Sequence, residues 1–101
     1  MAKVIFSIQY EIKENKKAEY YNIIRELKNL LHTDGLESYK VFEVKGKPNH
    51  YQEIYEFSSP EAYEEFDDNE NERVNILINK LSDLTTDNST RYTTLYELEI
   101  N

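Results

Sequence analysis

Val4, Phe6, Ile8, Tyr10 and Ile12 alternate with Lys3, Ile5, Ser7, Gln9 and Glu11. A period of two predicts a strand with one strongly apolar face. Asn15 offers an N-cap, and over Lys16–His32 the residues Tyr20, Ile23, Ile24, Leu27, Leu30 and Leu31 recur at spacings of three and four. That spacing predicts an amphipathic helix, with Gly35 as the residue that ends it. Leu36–Lys45 and Tyr51–Phe57 read as two strands around the turn cluster Gly46-Lys47-Pro48-Asn49, which makes a hairpin. Ser59-Pro60-Glu61 starts a second helix with a hydroxyl cap, proline in the first position and an acid in the first turn. Its stripe is Tyr63, Phe66, Val74, Leu77, Leu81 and Leu84, continuous only if Glu70 fills an apolar position, so a kink or an unwound turn is expected near Asp67–Asn71. A loop at Asp87–Ser89 leads to a last strand, Arg91–Ile100.

The order β-α-β-β-α-β predicts an α+β, ferredoxin-like single domain over residues 1–101, a four-stranded antiparallel sheet with two helices on one face. The other face would carry Ile5, Tyr39 or Phe42, and Val41 or Val44, depending on register. A sheet apolar on both faces needs a second cover. A second copy of the chain would supply it and close a homodimeric α/β barrel through the open sheet face.

Charge and composition narrow the partners. The 101 residues carry a formal net charge of −8, all of it in the last 41: residues 1–60 hold nine basic and nine acidic residues, and residues 61–101 three basic and eleven acidic. An acidic surface repels phosphate backbones and anionic lipid, so neither nucleic acid nor membrane is an expected partner. No apolar run reaches the ~20 residues of a spanning helix, and the opening residues read as strand rather than signal peptide. The expected location is cytoplasmic. Cysteine is absent, which excludes disulfides, thiolate metal sites and thiol nucleophiles. Two glycines cannot build a phosphate-binding loop, and no nucleophile elbow is present.

The strand KVIFSIQYEI, the hairpin segment GLESYKVFEVKGKPNHYQEIYEFSS and the following SPEAYEEF resemble the dimeric α/β-barrel superfamily, near its antibiotic-biosynthesis-monooxygenase type, over nearly the whole chain. The resemblance implies the fold rather than one activity, since such folds host cofactor-independent monooxygenases, heme-degrading proteins, isomerases and others. Heme-binding relatives place a histidine on the second helix and use a tryptophan. Here the histidines are His32 and His50, outside that helix, and tryptophan is absent. No cofactor is expected. Monooxygenase-type relatives often use an asparagine early in the first strand, where this chain offers Ser7 and Gln9.

The acidic run Asp67–Glu72 resembles the start of a calcium loop but has Glu72 where glycine is required and Ile78 where glutamate is required, so no metal is expected. A solvated helix face, or a docking surface for a basic protein, is the alternative use of these acids. The most suggestive feature is the nine tyrosines. A buried tyrosine needs a partner for its hydroxyl. Several around one cavity would suit a flat aromatic ligand, although tyrosine is also a good strand and interface residue. The pocket candidates are Ser7, Gln9, Tyr10, Tyr39, His50, Tyr55, Tyr63 and Tyr96, with no catalytic residue singled out. Two readings follow: a protein that binds a small apolar or aromatic molecule or is purely structural, and a cofactor-independent monooxygenase-like enzyme acting on a quinol-type aromatic.

Overall fold

The structure, a computed structural model, describes residues 2–68 and 71–100, with Asp67 and Asp68 described by their backbone. Its elements are β1 (Val4–Glu11), α1 (Lys17–Leu30), β2 (Leu36–Glu43), β3 (His50–Phe57), α2 (Pro60–Asp68), α3 (Glu72–Leu84) and β4 (Arg91–Tyr96). The four strands form one antiparallel sheet in the order β2-β3-β1-β4. This is the ferredoxin-like arrangement the alternation and helix stripes predict.

The helical boundaries differ from the sequence expectation. A short 3-10 turn, Glu14–Lys16, precedes α1, and no side chain caps it, so Asn15 is not an N-cap. The second helical region is two helices, α2 ending at Asp68 and α3 starting at Glu72, which agrees with the expected kink or unwound turn. Pro60 opens α2, and the Ser59 hydroxyl takes the Ala62 N–H at 3.1 Å. Asn71 starts α3, its side-chain oxygen taking the Val74 N–H at 3.1 Å. An Asx cap of this kind ends one helical path and begins another. The place of Glu70 in the helical stripe lies outside the described residues.

The sheet sorts its side chains by parity. Val4, Phe6, Ile8 and Tyr10 of β1 face the helices with Tyr51, Glu53, Tyr55 and Phe57 of β3 and with Tyr39 and Val41 of β2. They pack on Tyr20, Ile23 and Leu27 of α1 and on Leu77, Leu81 and Leu84 of α3. The Arg73 guanidinium reaches both carboxylate oxygens of Glu26 and ties α3 to α1. The opposite face carries Ile5, Ser7 and Gln9, Gln52 and Ile54, Lys40 and Phe42, and Thr93 and Leu95. Register therefore puts Ile5 and Phe42 on the uncovered face, and Tyr39 and Val41 against the helices. Phe42 and Leu95 are 51% and 55% exposed.

Gly35 joins α1 to β2 at φ +88°, a conformation that glycine adopts without steric cost. It also lets α2 approach: a Cβ there would stand 2.4 Å from the Ala62 Cβ. The cross-over loop is thus pinned where α2 leaves the sheet.

Candidate functional site

Glu53 decides the chemistry of the helix-covered face. Its neighbours at i±2 on β3 are Tyr51 and Tyr55, with Phe57 at i+4, so the strand turns this carboxylate into the core, where it is 1% exposed. Tyr10 lies opposite Tyr51 on β1, and Tyr39 lies opposite Tyr55 on β2. Both are therefore diagonal to Glu53 from the two flanking strands, a separation that long side chains can span. The Tyr39 hydroxyl donates to Oε1 at 2.6 Å, the Tyr55 hydroxyl to Oε1 at 3.3 Å and the Tyr10 hydroxyl to Oε2 at 2.8 Å. Tyr20, from α1, sets its hydroxyl 2.8 Å from that of Tyr10, its ring edge-on to the Tyr10 ring at 5.7 Å.

This cluster has no cation against Glu53 among the described residues. Burial pushes the Glu53 carboxyl above its ordinary range, and the tyrosine O–H donors offset that rise only in part. The same burial, with the Glu53 charge next in effect, pushes the Tyr10, Tyr39 and Tyr55 hydroxyls up and keeps them protonated donors. A carboxyl whose hold on a proton is raised by burial, beside a space that a ligand could enter, is a candidate for proton exchange.

That space exists. A cavity of about 420 Å³ opens between sheet and helices. Its floor is Phe6, Ile8, Tyr10, Glu53 and Tyr55, and its walls include Leu30 and Leu31 at the end of α1 and Phe66 of α2. Asn71 and then Val74, Asn75, Ile78, Leu81 and Ser82 of α3 close the far side, with His32, Thr33, Thr85, Thr90 and Tyr92 completing the lining. The volume is that of a small-molecule pocket, and its lining mixes the aromatic rings of Phe6, Tyr10, Tyr55, Phe66 and Tyr92 with polar side chains.

Of the eight pocket candidates, Tyr10 and Tyr55 line the cavity, and Tyr39 joins it through Glu53. Tyr63 stands on α2 with its ring against Phe6 and Phe57 and its hydroxyl 3.3 Å from the Thr94 Oγ1. Tyr96 is 60% exposed on β4. The register places Ser7, Gln9 and His50 on the opposite sheet face. There Ser7 accepts from Gln52 Nε2 at 3.4 Å, and the His50 ring donates to the Pro48 carbonyl at 2.9 Å. Sequence reasoning missed Glu53 and the rim residue His32. Glu53 had a signal, an acid at the inward parity of a strand of aromatics, but it was one of twenty acids.

No protein-family model and no curated protein matches the chain. Solved structures do. A conserved protein from Methanosarcina mazei superposes with a TM-score of 0.83 at 16% identity, covering 97% of this chain and 95% of its own. A candidate antibiotic biosynthesis monooxygenase from Deinococcus radiodurans follows at 0.78 and 19%, with 97% and 95% covered. SnoaB, a cofactor-independent oxygenase from Streptomyces nogalater, matches at 0.77 and 13%, with the same coverage. The fold is that of the antibiotic-biosynthesis-monooxygenase-type ferredoxin-like domains. At these identities the likeness concerns the fold, and the chemistry has to be argued from the side chains. Among the described residues no helix is long and apolar enough to cross a membrane.

Proposed function

We propose that this chain binds a small, flat, weakly acidic aromatic in the cavity and takes a proton from it at Glu53, as a cofactor-independent monooxygenase-like enzyme would. The observation that carries the reading is the buried Glu53 carboxylate on the cavity floor, held by three tyrosine hydroxyls and by no cation among the described residues. The chemistry follows from the electron balance of a substrate that activates oxygen itself. Removal of a C–H or O–H proton by Glu53 leaves the electron pair on the aromatic as a carbanion or oxyanion. That anion, not the protein, reduces dioxygen. For a methylene centre, the C–O bond formed gives a peroxide anion, which takes the proton back from Glu53, and the hydroperoxide so formed loses water to leave a ketone. The protein's part is to deprotonate, orient and exclude water.

Oxygen uptake with a panel of anthrones and quinols tests this. Turnover by the wild type, reduced about 100-fold or more in Glu53→Gln, is the expected result. Saturable binding without oxygen uptake would overturn the enzymatic reading and favour a ligand-binding protein.

The same proposal includes a homodimer formed through the open sheet face. Ile5, Phe42, Ile54 and Leu95 stand there with no helix over them, and Phe42 and Leu95 are half exposed. Large apolar side chains on an uncovered sheet face favour a second layer.

A further inference from the structure

The two oxygens of Glu53 are not equivalent, and the difference assigns a role to Tyr10. This inference rests on the reading of Glu53 as the proton acceptor. An ionised carboxylate offers about four acceptor positions, two on each oxygen. Oε1 takes the hydroxyls of both Tyr39 and Tyr55, at 2.6 and 3.3 Å, and is filled. Oε2 takes Tyr10 alone among the described residues, at 2.8 Å. One position on Oε2 therefore has no donor among the described residues, and Glu53 and Tyr10 both line the cavity.

Tyr10 also differs from the other two donors. Its proton points to Glu53, so the 2.8 Å contact with Tyr20 has Tyr20 as donor and Tyr10 as acceptor. The chain Tyr20 to Tyr10 to Oε2 is a polarised series, in which each bond strengthens the next donor. Suppose Oε2 receives a ligand proton. Oε1 becomes the carbonyl oxygen and keeps both of its tyrosine donors. Oε2 becomes an O–H donor and has less need of the proton of Tyr10. The phenol hydroxyl is a rotor that then turns to the nearest anionic oxygen.

We infer that Tyr10, backed by Tyr20, is a catalytic residue that donates to the oxyanion formed on the ligand as Glu53 Oε2 accepts its proton. In this step the ligand O–H bond breaks and the Oε2–H bond forms. The electron pair stays on the ligand oxygen, and the Tyr10 hydrogen bond passes from Oε2 to that oxygen. Donors aimed at a developing oxyanion in a dry site act at the point where charge appears.

The test uses 4-nitrophenol, whose phenol and phenolate absorb at separate wavelengths, bound to the full chain at a pH below the titration of the free probe. The measured quantity is the phenolate-to-phenol ratio of the bound probe. Tyr39→Phe removes a donor from Glu53 only, makes the carboxylate a stronger base and should raise the ratio. If Tyr10 merely supported Glu53, Tyr10→Phe would raise it too. The proposal expects the opposite sign: a fall in Tyr10→Phe, set by how much more strongly Tyr10 holds the ligand oxyanion than Oε2, and a smaller fall in Tyr20→Phe. A rise in both Tyr10→Phe and Tyr39→Phe overturns it while leaving Glu53 as the base. Failure of the wild type to bind the probe overturns the cavity reading itself. If circular dichroism shows Tyr10→Phe to be unfolded, Tyr20→Phe decides: a fall supports the role, and no change or a rise removes it.

Discussion

The Tyr39 hydroxyl stands 2.6 Å from Oε1 of Glu53, reaching diagonally from β2 to β3 in the interior of the domain. This is the shortest of the three tyrosine bonds to that carboxylate. It joins an edge strand to the buried carboxylate that lines the cavity. Tyr39→Phe keeps the ring, its 4.8 Å contact with Tyr55 and the strand pairing, and deletes only the donor. Leaving a buried acceptor without its donor costs about 1–3 kcal/mol, so the variant should lose stability of that order. Chemical denaturation of the wild type and the variant checks it.

Glu53→Gln separates the charge from the shape. Burial is the main cause that holds the Glu53 carboxyl above its ordinary value of 4.5. The folded state then binds this proton more tightly than the unfolded state. The contribution is complete below about 4.5 and is lost as pH rises through the folded value. The stability of the wild type minus that of Glu53→Gln should therefore fall as pH rises above 4.5. Taking the difference cancels the other carboxyls. A difference that grows with pH would mean that the tyrosine donors outweigh burial.

Gly35 tests the packing of the cross-over loop. Alanine there must adopt φ near +88° and place its Cβ 2.4 Å from that of Ala62, in the first turn of α2. Strain of this kind costs about 1–3 kcal/mol for the backbone alone. With the added clash, Gly35→Ala should lower the melting temperature by about 5–15 °C. Gly46, at φ +83° with no atom near its Cβ position, should lose less on the same change.

The open sheet face makes its own prediction. Native mass spectrometry of the wild type should show twice the chain mass. Phe42→Glu combined with Leu95→Glu should give the monomer, because carboxylates on both copies would have to be buried against each other. A wild-type monomer at micromolar concentration would remove the dimer from the account.

The sheet was legible because the inward positions of β1 are apolar at every second residue, and β3 breaks that period only at Glu53 and Ile54. The boundary between α2 and α3 was less so, since the Asn71 cap competes with helix continuation and a stripe of apolar residues reads across both helices. The site was half legible. The tyrosine count pointed to a cavity, and Tyr10, Tyr39 and Tyr55 belong to its floor or to the cluster behind it. Ser7, Gln9 and His50 point away because a strand sends neighbours to opposite faces, and their polarity hid that they share the uncovered side. Glu53 was obscured by the ordinary expectation that an acid in a strand faces water. The i±2 aromatics around it were the counter-evidence.

The most direct measurement is a crystal structure of the full chain soaked with a phenol that does not turn over. The account expects the phenol in the cavity between Phe6, Tyr55 and Phe66, its oxygen within about 2.6–3.2 Å of Glu53 Oε2. A phenol seated on the open sheet face instead, with Glu53 untouched, would contradict it.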